Sequence, residues 1–269
     1  MGRALAHARP SVRGFEDPFA LRVLPDDQRA VVERVLRDEW PCTIQEAKLR
    51  FIAQATERMM GPRTVEIDDG IRALPRGHQL VIVGAGLDAR AYRMSELEGS
   101  VAFELDHPAT QAFKLRQVEG LRPRVRELRH VAVDFTREPL GDALARVGHD
   151  PAVPTAWVFE GVISYLTPPD VAKAIEAMAA RSAPGSRLLA TYNEPSWTRR
   201  ANSVISARNH EPQRAAFTPE SLRSLLAAHG FVVRSDRDGR ERAARWDMTP
   251  KVFDRFWRFH HVVIADVER

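Results

Sequence analysis

Gln79–Val83 reads QLVIV and stops at Gly84-Ala85-Gly86, with Leu87-Asp88-Ala89-Arg90 behind it. An apolar run that ends in paired glycines lets the backbone pass close to a ligand, because no Cβ stands in the way. A helix opening at Asp88-Ala89-Arg90 would add unpaired backbone N–H groups at the same place. Three further runs end in an acid: Asp106, twenty residues beyond Gly86, then Asp134 after HVAV and Glu160 after AWVF. A carboxylate at Asp106 can accept both hydroxyl protons of a ribose. Together these residues describe a nucleotide-cofactor site at the carboxyl ends of consecutive strands.

The identity of the nucleotide follows from charge. Gly84 to Ala89 satisfies G-x-G-x-x-A literally, which admits an NAD-dependent oxidoreductase as well as an S-adenosylmethionine enzyme. Asp88 would stand inside a pyrophosphate turn, where like charges repel. An acid at the tip of a buried strand is costly without a partner. An acid-rich rim therefore suits a cation. S-adenosyl-L-methionine carries a sulfonium and an ammonium, and no phosphate.

The elements that must position these residues alternate. Strands are expected at Gln79–Val83, Val101–Leu105, Arg129–Val133, Thr155–Phe159 and Ser186–Tyr192, with helices between them at Ala89–Leu97, Pro108–Glu119, Pro139–Val147 and Pro168–Arg181. Such alternation argues a parallel sheet with right-handed crossovers. Two late apolar runs, Phe231–Arg234 and Val262–Ala265, follow helices at Pro219–His229 and Pro250–Arg258. Thr167-Pro168, Thr218-Pro219 and Thr249-Pro250 each join an N-cap to a proline at the first helical position.

Before the first strand, residues 1–25 read as irregular, with Phe15–Ala20 as an anchoring turn. Asp26–Trp40 is amphipathic through Val31, Val32, Val35 and Leu36. Thr43 and Glu46 form a capping box that starts a second helix. Its apolar positions are Ile44, Ala47, Phe51, Ile52, Ala55 and Met59, and Gly61-Pro62 ends it. A third helix runs over Arg63–Leu74. Pro195–Ala216 is polar, holds several arginines and reads as a lid-like insertion.

The composition excludes other classes. Net charge is only +4 over 269 residues, and the arginines are spread out rather than gathered in a nucleic-acid stripe. One cysteine, Cys42, permits no disulfide framework or zinc cluster within the chain. The N-terminus is too polar for a signal peptide. No run approaches the ~18 apolar residues of a membrane span. The expectation is a cytoplasmic protein without a metal, a monomer or homodimer, acting on a small molecule.

VIVGAGLDARAYR, FELDHPATQAFK, VAVDFTREPL and WVFEGVISYLTP, in this order, resemble the leucine carboxyl methyltransferase family, and within it the bacterial S-adenosylmethionine-dependent branch. The resemblance covers roughly Phe15–Asn193. It implies an α/β class I methyltransferase (Rossmann-like) fold: a seven-stranded, mostly parallel sheet with the last strand antiparallel. An N-terminal helical cap over residues 1–75 would precede a methyltransferase domain over residues 76–269. It also implies roles. Gly84, Ala85 and Gly86 form the cofactor turn. Asp106 binds the ribose, with His107 shaping that site. Asp134 and Phe135 meet the adenine. Glu160, next to Gly161, balances the cofactor's ammonium, and Arg63 holds its carboxylate through paired hydrogen bonds. Two alternatives stay open: Asp134 as a helix N-cap, and Glu160 as the partner of a neighbouring arginine. The family carries a second basic residue where this chain has Val65. Lys48 is a further cap residue within reach, and Asp88 with Arg90 forms a local pair that shapes the turn.

The implied reaction is O-methylation of a carboxylate on a polyketide or aromatic acid, within natural product biosynthesis. A carboxylate is already ionised at pH 7 and needs only positioning. A hydroxyl or phenol acceptor would need a base, and His210 in the lid-like insertion is the nominee. His260 and His261 are expected to flank the last strand. Tyr192 is expected to position the acceptor, near Asn193 and Trp197, with Arg199, Arg200, Arg208 and Arg214 as candidates for an acidic acceptor.

Overall fold

The computed structural model describes residues 1–10, 12–135, 137–195, 213–248 and 257–268. β1 (Gln79–Val83) and β4 (Thr155–Phe159) are buried along their whole length. Strands covered by helices on both faces must be apolar throughout. The two lie side by side in a seven-stranded sheet of order β3-β2-β1-β4-β5-β7-β6. Its other members are β2 (Val101–Asp106), β3 (Glu127–Ala132), β5 (Arg187–Asn193), β6 (Phe231–Arg237) and β7 (His260–Val267). β1 to β5 pair in parallel, and β7 runs antiparallel to both β5 and β6. This is the seven-stranded class I methyltransferase sheet. Strand order reverses between β1 and β4, which opens a crevice at their carboxyl ends.

The late strands are longer than their apolar runs. β6 continues through the partly exposed Ser235, Asp236 and Arg237. An edge strand keeps its ladder on one side only, so polar residues need not end it.

Helices α1 (Gly2–Ala8), α2 (Asp26–Leu36) and α3 (Ile44–Arg72) precede the sheet. α1 replaces the irregular segment expected there. Gly2 lets it lie directly on α3, because a Cβ at that position would come within 2.6 Å of Thr56 Oγ1. α3 is one helix of 29 residues, not two, and Pro62 sits inside it. An interior proline costs roughly 3 kcal/mol. Packing outweighs that cost. The first half lies against α1 and α2, and Ile67 and Ile71 of the second half join the core with Leu80, Val158, Leu189 and Val262 of the sheet. The apolar positions near the start of α3 are not covered: Ile44 and Phe51 are 91% and 57% exposed.

α4 (Arg90–Arg93) is a single turn followed by a 3-10 turn at Ser95–Leu97, shorter than the helix expected over Ala89–Leu97. α5 (Pro108–Gln117), α6 (Leu140–Arg146), α7 (Pro168–Ala180) and α8 (Pro219–Ala228) stand where helices are expected. Thr167 and Thr218 accept the capping amides of α7 and α8. α9 (Gly239–Arg245), not foreseen, is started by a capping box of Asp238 and Glu241. The expected helix at Pro250–Arg258 lies mostly outside the described residues. α6, α7 and α8 cover one face of the sheet, and α3 covers the other. Among the described residues no helix is long and apolar enough to cross a membrane.

The contact of α3 with the sheet depends on Gly70, where a Cβ would lie 2.2 Å from Leu189 Cδ2 and 3.3 Å from Ile264 Cδ1. Gly70→Val is expected to cost about 1–3 kcal/mol in urea unfolding through overpacking. A free energy equal to wild type would contradict this packing.

Candidate cofactor site

The glycine turn is held by its own amides. Gly84 N and Ala85 N donate to Leu105 O at 2.8 and 2.9 Å. Gly86 N donates to Asp106 Oδ2 at 2.5 Å, and Asp88 N to Ala85 O at 2.8 Å. Arg90 N donates to Asp88 Oδ1 at 2.8 Å. The amides of Gly84, Ala85, Gly86, Asp88 and Arg90 are therefore engaged within the protein, and α4 is a single turn. Gly84 has φ +70°, and a Cβ on it would meet Val162 Cγ2 at 2.4 Å. Only glycine fits there.

Behind the turn lies a buried set of charges. Arg90 has no solvent exposure. Its Nε donates to Asp68 Oδ1 of α3 at 2.7 Å, and its Nη1 to Glu160 Oε2 beyond β4 at 2.8 Å and to Asp88 Oδ2. Arg93 Nη1 pairs with Asp68 Oδ2 at 2.7 Å. Glu160 Oε1 receives Arg63 Nε at 2.7 Å. Three carboxylates thus meet three guanidiniums. Burial pushes the Glu160 carboxyl up, but Arg63 and Arg90 outweigh it and hold the group well below the usual range. Asp88 is lowered in the same way, with Arg90 overcoming the effect of burial.

Two cavities open at this rim. One of about 260 Å³ is walled by Gly84 to Asp88, Arg63, Met60 and Glu160, and roofed by Met1, Gly2 and Arg3 of the cap. The other, of about 400 Å³, has an apolar floor of Val83, Phe135, Leu140, Phe159 and Leu166, with Arg137 and Lys173 at its edge. Ile82 lines the smaller and Val83 the larger. The tip of β1 therefore stands between them.

Of the residues named from sequence, Arg63, Gly84, Ala85, Gly86 and Glu160 come together at the smaller cavity, and Phe135 lines the larger. Both oxygens of Asp106 accept backbone amides, from Gly86 and, at 2.6 Å, from His107. His107 Nδ1 caps α5 by accepting Ala109 N at 3.3 Å. Asp134 pairs with Arg137 at 3.5 Å. It is not the cap of α6, whose N-cap is Pro139. Glu160 does pair with arginines, and it also lines the cavity. Gly161 N donates to Thr191 Oγ1 at 2.8 Å, and Gly161 lines neither cavity. Tyr192 is 1% exposed, and its hydroxyl donates to Asp236 Oδ2 at 2.7 Å, so it is turned into the core. Lys48 is exposed on α3. His210, Trp197, Arg199, Arg200 and Arg208 lie outside the described residues.

Arg3 was not legible in the sequence. It donates to Leu87 O of the turn and pairs at 3.5 Å with Asp17, which is fully buried in the Phe15–Ala20 turn. It brings a second basic group to the smaller cavity, whereas Val65 is buried in the core.

A depressed folded-state pKa at Glu160 stabilises the protein above the unfolded carboxylate value and loses that contribution as pH falls below about 4. Glu160→Gln is expected to cost about 3–5 kcal/mol at pH 7, because Arg63 and Arg90 lose a shared partner. It should also flatten the acid limb of the stability curve. Urea unfolding from pH 3 to pH 7 checks this, and an unaltered acid limb in the variant would refute it.

The profile of the leucine carboxyl methyltransferase family matches residues 1–179. A Streptomyces avermitilis protein provisionally described as an S-adenosyl-L-methionine-dependent methyltransferase is 36% identical over 187 residues, 68% of this chain and 65% of its own length. A similarly described protein of Mycobacterium sp. (strain JLS) is 38% identical over 195 residues, 71% of this chain and 63% of its own. The chain thus spans somewhat less than two thirds of the length of these relatives. Among solved structures, a DUF574 family protein from Streptomyces avermitilis superposes with TM-score 0.62 at 12% identity, over 92% of this chain and 97% of that one. Magnesium protoporphyrin IX methyltransferase from Synechocystis PCC 6803, with bound S-adenosylhomocysteine, gives 0.51 at 11% identity, over 90% and 94%. At such identities these likenesses speak for the fold alone. With the profile matched over residues 1–179, the chain belongs to the leucine carboxyl methyltransferase family.

Proposed function

We propose that this chain binds S-adenosyl-L-methionine and methylates an oxygen of a small acceptor, a carboxylate of a polyketide or aromatic acid before a hydroxyl. The observation that carries the reading is the rim itself. It presents carboxylates, and amides mostly engaged within the protein, between two cavities, one bordered by Arg3, Arg63, Asp88 and Glu160 and one with an apolar floor. A pyrophosphate needs free N–H groups and dislikes nearby carboxylates. A sulfonium with an ammonium gains from those carboxylates. This weighs against the NAD reading of the glycine pattern.

The assignment of parts follows from the linings. Phe135 and the apolar floor of the larger cavity take the adenine, with Asp134 at its polar edge. Asp106 takes the ribose hydroxyls on its remaining lone pairs, since a carboxylate offers about four acceptor sites. Arg63 spends Nε and Nη2 on Glu160 and keeps Nη1 for the cofactor's carboxylate, with Arg3 beside it. Glu160 takes the ammonium. The cofactor supplies a methyl carbon activated by its sulfonium. The chain supplies alignment and a site that excludes water. An ionised carboxylate acceptor requires no base, and His210 enters only if the acceptor is a hydroxyl. The family membership and the names of the relatives support the cofactor. The same reading takes the protein as cytoplasmic, a monomer or homodimer, and a participant in natural product biosynthesis.

Isothermal calorimetry is expected to show S-adenosyl-L-methionine binding by the wild type. Asp106→Ala should weaken it roughly tenfold or more, the loss of hydrogen bonds to a charged acceptor. NADH should give no thermal shift. Stabilisation by NADH without uptake of S-adenosyl-L-methionine would sink the assignment.

A further inference from the structure

His260 and His261 adjoin in the chain and have opposite surroundings. β7 is antiparallel, so it begins at the rim where β1 to β5 end, and His260 pairs with Asn193 at the tip of β5. Successive side chains of a strand point to opposite faces. His261 takes the face of α7 and α8. Its ring stacks on Tyr192 at 4.7 Å, and its nitrogens meet Asp236 Oδ1 at 2.9 Å and Glu194 Oε1 at 2.7 Å. Both nitrogens are committed.

His260 takes the other face, where Val262 and Ile264 of the same strand pack with Ile67 and Ile71 of α3. The residue is half-buried. Neither ring nitrogen has a hydrogen-bond or ion-pair partner among the described residues. Its backbone is fixed by the buried Arg242, which donates Nη2 to His260 O at 3.0 Å and Nη1 to Arg237 O at 2.6 Å. Among the described residues, the charged groups that act on the ring are Arg63 of α3, Arg242 of α9 and His261 of its own strand, with Glu66 of α3 at 4.0 Å from Arg242. Burial pushes the imidazole down to about 4, and the two guanidiniums push the same way. The ring is therefore neutral at pH 7 and has one N–H to give.

The ring lies outside the lining of the smaller cavity, but it feels the charge of Arg63, which walls that cavity. Glu160, which walls that cavity, follows β4, and β5 and β7 come next in the sheet. With strands about 4.8 Å apart, His260 stands roughly 10 Å along the rim from Glu160. That gap is of the order of a small aromatic acid.

We propose that His260 donates the hydrogen bond that seats a carboxylate acceptor next to the cofactor site. The proposal rests on the carboxylate reading above. A neutral donor orients an ionised carboxylate without neutralising it, and the Arg63 and Arg242 charges favour an anion there. A hydroxyl acceptor would need its proton removed, and an imidazole held this low is a poor base for that.

Benzoate, phenylacetate and phenol, titrated by calorimetry into the full chain saturated with S-adenosylhomocysteine, are the probes. The two carboxylates should bind the wild type in preference to phenol. His260→Ala should weaken benzoate roughly tenfold, and His260→Asn, which keeps a side-chain N–H, should restore most of it. The His260 ring resonance should move when benzoate binds. S-adenosylhomocysteine affinity and the thermal midpoint should stay at wild-type values in both variants. Unchanged benzoate affinity in His260→Ala, an asparagine variant as weak as alanine, a lowered thermal midpoint, phenol preferred to benzoate, or no carboxylate binding by the wild type would each overturn the proposal. Failure of the wild type to take up S-adenosylhomocysteine would instead remove the cofactor reading beneath it.

Discussion

A guanidinium with no access to water needs carboxylates, and Arg90 draws its three from three parts of the fold. Asp88 belongs to the glycine turn, Asp68 to α3, and Glu160 to the end of β4. Desolvating an ion costs several kcal/mol, so such a charge is kept only where its partners are fixed. The bonds from Arg90 Nε and Nη1 therefore hold the turn, the cap helix and the central strand tip in one arrangement. Arg63 joins through Glu160, and Arg93 through Asp68. The smaller cavity opens on the outer side of this cluster, at Arg63, Asp88 and Glu160.

The acids at the rim serve the fold before they serve a ligand. Asp106 is held by two backbone amides, and Glu160 by two arginines. Such bonds fix the carboxylates in direction, as preorganised recognition of positive charge requires. Glu194 and Asp236 do the same around His261, where burial would lower the imidazole but the two carboxylates raise it. Tyr192 completes that group from β5, so the far half of the sheet is tied at its rim by charge as well as by its ladder.

How much was legible in the sequence depended on the range of the interaction. β1 and β4 could be read because central parallel strands bury every residue, and the acids at the strand ends followed from where the apolar runs stop. The glycine turn was local and readable. The helix break at Gly61-Pro62 was misread, since local preference for a break lost to packing on both sides of it. α4 was overextended because Asp88 and Arg90 bond to each other and to distant groups rather than propagating a helix. Arg3 reaches a site 84 residues away, and no local pattern announces that. The opposite environments of His260 and His261 follow from the pleat, but only once the strand start and its antiparallel direction are known.

Pro62 contributes no N–H to the ladder of α3, and it stands between Met60 and Arg63, both of which wall the smaller cavity. The half of α3 beyond it is anchored on the sheet by Ile67 and Ile71, while the half before it carries α1 and α2. The turn of α3 that lacks a ladder bond therefore lies at the edge of the smaller cavity. A gap in the helix ladder and a wall of the cavity thus fall on the same few residues, so the packing that holds the cap against the sheet also shapes that wall.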